Sequence, residues 1–177
     1  MVDGSRLGIL RWQLHWAWSL TDYHLGALTD DLCRWEPAPG SWTVRRSQDG
    51  RWWPDWAEPE PDPAPGVSVG WVTWHLGWWW SAALDHAQGR TPPPRDQVAW
   101  PGDAAAAVAW ITGIHERWRD LLAGLSEPDL DGVVRFPLPE PRPLGIMAAW
   151  VNGELTKNAS EIGLLRHLWL AAGRPAG

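Results

Sequence analysis

The sequence predicts an all-α protein, a four-helix bundle with a long Pro- and Trp-rich connection between the first and second helices. Three observations lead there. Four stretches repeat apolar residues three and four positions apart, the period of a helix buried on one side. Clusters of proline and glycine separate them, where no regular element should persist. The chain has 177 residues, the length of one ordinary domain, so 1–177 reads as a single domain with one core.

The first helix is expected over residues 8–33, from Leu10, Leu14, Trp18, Leu25, Leu28 and Leu32, with Thr29, Asp30 and Asp31 near its end. Residues 36–66 hold seven prolines, three glycines and four tryptophans, and they predict an irregular connection packed on the body of the protein. The second helix follows over 67–88, with Ser68 as its N-cap. Its Trp71, Trp74, His75, Trp78 and Ala82 share one side. Asp103 caps a third helix over 104–125, whose stripe is Val108, Ile111, His115, Trp118 and Leu122. FPLPEPRP reads as extended chain, because the residue before each proline is driven out of the helical region. The fourth helix spans 144–172. Its stripe holds Met147, Trp150, Val151, Leu155, Ile162, Leu165 and Leu168, and Gly173 and Pro175 end it.

Composition excludes several functions. Net charge is −6, and of the 15 basic residues only Lys157 is lysine. No basic block offers a phosphate footprint, so nucleic acid is excluded as a partner. Cys33 stands alone, which excludes an internal disulfide and a cysteine-cluster zinc site. A single thiol fits a reducing cytoplasm. The opening MVDGSRLGILRW carries no long apolar signal region. The run Trp71–Leu84 is too short to span a bilayer, so no membrane role is expected. No phosphate-binding glycine loop occurs.

The 18 tryptophans are foremost a packing feature. Trp12, Trp74, Trp78, Trp118 and Trp150 are expected to fill the interior, and Trp42, Trp52, Trp53 and Trp56 to cover one end. Each indole can remove ~150–250 Å² from water, after which its N–H needs an acceptor.

Polar groups on apolar stripes are the candidates for chemistry. Glu154, Asn158 and Glu161 recur at spacings of four and three on the core-facing side of the fourth helix. Such groups are costly to bury unless they are paired or bind a metal. The plainer alternative pairs Glu154 with Lys157 at the rim. His75 sits among Trp71, Trp74, Trp78 and Trp79, either as a hydrogen-bonded core residue or as a ligand. His115 on the third helix and His24 on the first can face the same cavity, with Trp71 and Trp78 as its walls and Glu161 supporting Asn158.

The order of WTVR, SVGWVTWHLGWWW and ELTKNASEIGLLRHL resembles the DinB-like superfamily. LTDDLCRWEPAPGSWTVR is similar to that family's first-helix exit, and WPGDAAAAVAWITGIHERWRDLLAGL to its third helix. The resemblance implies a four-helix bundle. Members include mycothiol-dependent maleylpyruvate isomerase and bacillithiol and mycothiol S-transferases. It also implies a divalent metal, zinc or nickel among others, held by a His of the second helix and two residues four apart on the fourth. His75 and Glu154 match those positions, and Asn158 stands where the pattern most often has His. An amide oxygen is a weak ligand for zinc or nickel, and the alternative is a metal-free polar site in which Asn158 bonds Glu154.

Two functional expectations follow from the resemblance. One is a metal-dependent transferase or isomerase that uses a low-molecular-weight thiol such as mycothiol, with His75, Glu154 and Asn158 as metal-binding and catalytic residues. The other is a non-catalytic protein that binds a small molecule in a Trp-lined pocket beside a degenerate metal site. A third expectation is a stress-related interaction protein with no ligand, for which exposed Trp would suit a homodimer.

Overall fold

A computed structural model describes residues 3–137 and 139–175. The chain is mostly helical. It contains α1 (Arg6–Leu25), α2 (Asp30–Arg34), β1 (Val44–Arg46), β2 (Trp52–Pro54), α3 (Val69–Ala87), α4 (Ala104–Gly124), β3 (Val133–Val134), β4 (Arg142–Pro143) and α5 (Leu144–Ala171). The four long helices α1, α3, α4 and α5 match the four predicted ones. They form a ring in which α1 lies beside α5 and α4, and α3 beside α4 and α5. No described helix is long and apolar enough to cross a membrane.

Side-chain caps set most of the helix starts. Ser5 accepts from the Gly8 amide, Ser68 from that of Trp71 and Asp103 from that of Ala106. Each satisfies an amide that has no partner within its helix. The expected first helix over 8–33 is two helices. α1 stops at Gly26, and the Thr29 hydroxyl captures the Leu32 amide at 3.2 Å to start α2. Thr29 therefore marks a beginning rather than an end. Asp30, at the start of α2, also accepts from the Ala104 amide at 2.8 Å, so one carboxylate ties α2 to the positive end of α4.

The segment expected to be irregular contains a hairpin. β1 pairs antiparallel with β2, Val44 facing Pro54 and Arg46 facing Trp52. The Ser47–Arg51 turn between them uses Gly50 at φ 84°, a conformation glycine adopts without strain. Asp55 fixes the base of the hairpin by accepting from the Thr43 amide at 3.0 Å and from Arg45 Nε at 2.9 Å. The hairpin is tied to the body by the Trp100 amide, which donates to Trp52 O at 2.8 Å. A second two-stranded ladder, β3 with β4, leads into α5.

Trp74, Trp79, Trp80, Trp100 and Trp118 form the bulkiest part of the core. Trp12 does not fill the interior as expected. It is 49% exposed, because it follows the buried Leu10 by only two positions and so points away from the core. Leu168 is likewise exposed, and the buried residue of that turn is Trp169, which meets Trp35 edge-on. α1 and α5 run parallel, since Leu10 O accepts from Asn152 and His24 meets Arg166.

Helix α3 approaches the first connection closely at Gly70. A Cβ there would sit 2.7 Å from Cys33 O and 2.8 Å from Val44 Cγ2. Gly70→Ala is expected to destabilise the protein by about 1–3 kcal/mol. Urea unfolding checks this, with Gly113→Ala as a control because a Cβ there meets nothing within 4 Å.

Candidate functional site

The facing sides of α3 and α5 carry the polar residues singled out in the sequence. His75 lies one turn after Trp71, and the two rings stack with centroids 5.1 Å apart and planes 9° apart. Trp78 flanks the imidazole at 5.9 Å. His75 Nδ1 is buried and has no hydrogen-bond partner among the described residues. Burial pushes the imidazole down to about 4, and the Lys157 ammonium adds to that shift. His75 is therefore neutral at physiological pH, with one ring nitrogen uncommitted.

Lys157 reaches this region from α5. Its Nζ lies 2.6 Å from Glu154 Oε2, so the plainer pairing is the one formed. Asn158, one position on, is wholly buried. Its Oδ1 accepts from Trp79 Nε1 at 3.0 Å, and its Nδ2 donates to Glu161 Oε2 at 2.7 Å. Asn158 thus bonds Glu161 and Trp79, not Glu154. The i, i+3 spacing on α5 brings Glu161 under the amide, as the sequence suggested. Trp79 was missed as a site residue, although its position four after His75 places both on one face of α3.

His24 and His115 belong to other neighbourhoods. His24 packs against Gly163, and its Nδ1 lies 2.9 Å from Arg166 Nη1. A guanidinium only donates, so Nδ1 accepts and the ring is neutral. Burial, then Arg166 and His167, hold its pKa below the usual value. His115 stacks on Trp18 with centroids 3.9 Å apart and planes 3° apart, with Trp80 on another side. His24 thus sits between α1 and α5 and His115 between α4 and α1, and neither is joined by a hydrogen bond to His75 or Asn158.

The tryptophans continue the wall. Trp71 stacks on Trp56 as well as on His75, and Trp56 meets Trp74 and Trp78 edge-on. Arg95 covers this cluster, with its guanidinium 3.7 Å from the Trp56 ring centre and Nη2 2.8 Å from Glu58. Beside it lies a cavity of about 300 Å³, bounded by Trp53, Trp56, Trp74, Arg95 and Asp96. It reaches the tryptophans next to His75, not the imidazole itself.

A divalent metal fits this donor set poorly. His75 offers one nitrogen, but Glu154 is neutralised by Lys157 and both ends of the Asn158 amide are committed. The Lys157 ammonium held against Glu154 also opposes a second positive charge at that carboxylate. Among the described residues, no group of three or more His, Cys, Asp and Glu side chains is placed to hold a metal ion.

A family model described as DinB superfamily matches residues 51–162, well over half of the chain. That span contains His75, Glu154, Lys157, Asn158 and Glu161. No curated protein matches the chain.

Proposed function

The chain belongs to the DinB superfamily, and on that premise we propose that it is a single-domain, DinB-type four-helix bundle that binds a small molecule at a degenerate, metal-free site. The observation that carries the reading is Lys157. Its ammonium pairs with Glu154, and it adds to the burial that holds the His75 imidazole low. The Glu154–Lys157 pair beside a neutral imidazole suits a ligand with a hydroxyl or similar polar group that can both donate and accept. The Trp walls suit an aromatic body, since a few polar groups on an aromatic lining are the usual make-up of a ligand pocket. His75 and Lys157 would contact the polar end, Trp71 and Trp78 the apolar part, and Asn158 with Glu161 would hold the floor.

A second reading is supported by the uncommitted His75 nitrogen. It is the metal-dependent transferase or isomerase using a low-molecular-weight thiol, with His75, Glu154 and Asn158 around zinc or nickel. One experiment separates the two. The purified protein is titrated with zinc and nickel and assayed with mycothiol and an electrophile. The expected result is substoichiometric metal, weak binding and no turnover lost to chelator. The double variant Lys157→Ala, Asn158→His is expected to bind zinc at least tenfold more tightly, because it removes the competing charge and supplies an imidazole. Stoichiometric metal in the unmodified protein, with chelator-sensitive thiol transfer, would establish the second reading instead.

A further inference from the structure

The cavity of about 300 Å³ beside the tryptophan cluster is bounded by Trp53, Pro54, Trp56, Trp74, Arg95 and Asp96. None of His75, Glu154, Lys157 and Asn158 lines it, so it is a separate place from the polar cluster between α3 and α5. Its volume is at the lower end of ordinary small-molecule pockets. Two hydrogen bonds hold its frame together. Trp74 Nε1 donates to Val98 O at 2.7 Å, and the Trp100 amide donates to Trp52 O at 2.8 Å. The segment that carries Arg95 and Asp96 is thereby fixed to α3 and to the hairpin.

The indoles around this cavity are not equivalent. Trp71 and Trp74 have committed their N–H groups, to Asp55 O and to Val98 O. Trp56 lies stacked on Trp42 and Trp71, and the Arg95 guanidinium rests 3.7 Å from its ring centre. Trp53 is different. It is partly exposed, it stacks on no other ring, and its N–H bonds to nothing among the described residues. The charges are also unequal. Arg95 is already paired with Glu58 at 2.8 Å. Asp96 is exposed and has neither a hydrogen bond nor an ion pair from its carboxylate among the described residues. One guanidinium thus faces two carboxylates, and the carboxylate left over is the one that bounds the cavity.

We propose that this cavity binds a small organic cation, a quaternary or fully methylated ammonium, against Trp53 and Asp96. A cation is attracted to the face of an indole, and Arg95 on Trp56 is the same attraction satisfied within the chain. Asp96 supplies the counter-charge. A primary ammonium has three N–H donors to satisfy, and Asp96 is the only carboxylate that bounds the cavity. A quaternary ammonium has no N–H at all, and its methyl groups suit walls of tryptophan and proline. A metal ion would need several oxygen ligands in place of those walls. An anion would meet the repulsion of Asp96 and would have to displace Glu58 from Arg95. Within this arrangement Arg95 is a rival of the ligand, since it occupies the Trp56 face and repels a second cation.

Calorimetric titration of the full chain with choline, with its uncharged carbon isostere 3,3-dimethylbutan-1-ol and with benzoate tests the proposal. Choline is expected to bind roughly tenfold more tightly than the alcohol, about the worth of a cation–π contact with an exposed charge pair. Simple burial of apolar surface would favour the alcohol instead. Asp96→Asn should weaken choline about fivefold and leave the fold intact, because Asp96 is exposed. Trp53→Leu should weaken it by a similar factor. Arg95→Gln should tighten it at least threefold by removing the rival charge. The indole N–H resonance missing from the spectrum of Trp53→Leu identifies Trp53, and choline should shift it in the unmodified protein. Far-UV circular dichroism should match the unmodified protein in all three variants. No choline binding at about 10 mM, equal or tighter binding of the alcohol or of benzoate, or choline affinity unchanged by both Asp96→Asn and Trp53→Leu overturns the proposal.

Discussion

Acidification from pH 7 to pH 4 is expected to remove roughly 3–5 kcal/mol of stability, most of it through His75 and His115. Burial is the main cause in both, and it pushes each imidazole down to about 4. Around His75 the Lys157 ammonium acts in the same direction. Around His115, Arg119 and His15 lower the value, and Asp22 and Asp120 oppose them. In the unfolded chain both rings titrate near 6.5. The folded protein therefore resists a proton that the unfolded chain accepts. The contribution is complete above about pH 6.5 and is lost as the pH falls towards 4. Urea unfolding in a chelating buffer across that range should show a slope of about two protons. His115→Phe should remove about half of it, and an unchanged slope in that variant would contradict the account.

Trp118→Ala should be among the most damaging single substitutions, at about 3–5 kcal/mol against a total of 5–15 kcal/mol for a domain. Trp118 is wholly buried on α4, and its neighbours on that helix face, Ile111, Ile114 and Leu122, are equally inaccessible. The hole left by an indole in such a surrounding cannot collapse fully. Trp118→Phe should cost far less, because Trp118 Nε1 bonds to no described group and no partner is stranded. Trp100→Phe makes the contrast. Trp100 Nε1 donates to Thr73 Oγ1 at 3.0 Å in the core, so the substitution leaves that hydroxyl without its donor. Thermal and urea unfolding of the three variants should rank Trp118→Ala as the least stable, with Trp100→Phe below Trp118→Phe. Equal loss in the two Phe variants would show that the indole hydrogen bond contributes nothing.

The four long helices were legible because periodicity and caps agreed. Ser68 and Asp103 stand one residue before an apolar repeat, and each accepts the amide expected of it. Thr29 was ambiguous for a physical reason. Leucine spacing carries on through 25, 28 and 32, so the repeat conceals the stop at Gly26, and only the hydroxyl bond reveals the restart. The β1–β2 hairpin was hidden because its strands are three residues long and surrounded by proline, too short for an alternating pattern. In the site, Glu161 under Asn158 followed from helical spacing. The commitment of the Asn158 oxygen did not, since it depends on Trp79 arriving from another helix, and no single-helix pattern reports that.

The Glu154–Lys157 pair has a practical consequence. Lys157 is the only lysine in the sequence, so the protein carries one side-chain amine, and it stands in the polar cluster between α3 and α5. Reductive methylation with isotope-labelled formaldehyde would place a label there and otherwise only on the α-amino group. The resonance of that methylated amine would report directly on what enters the cluster, at any pH and without altering a single tryptophan.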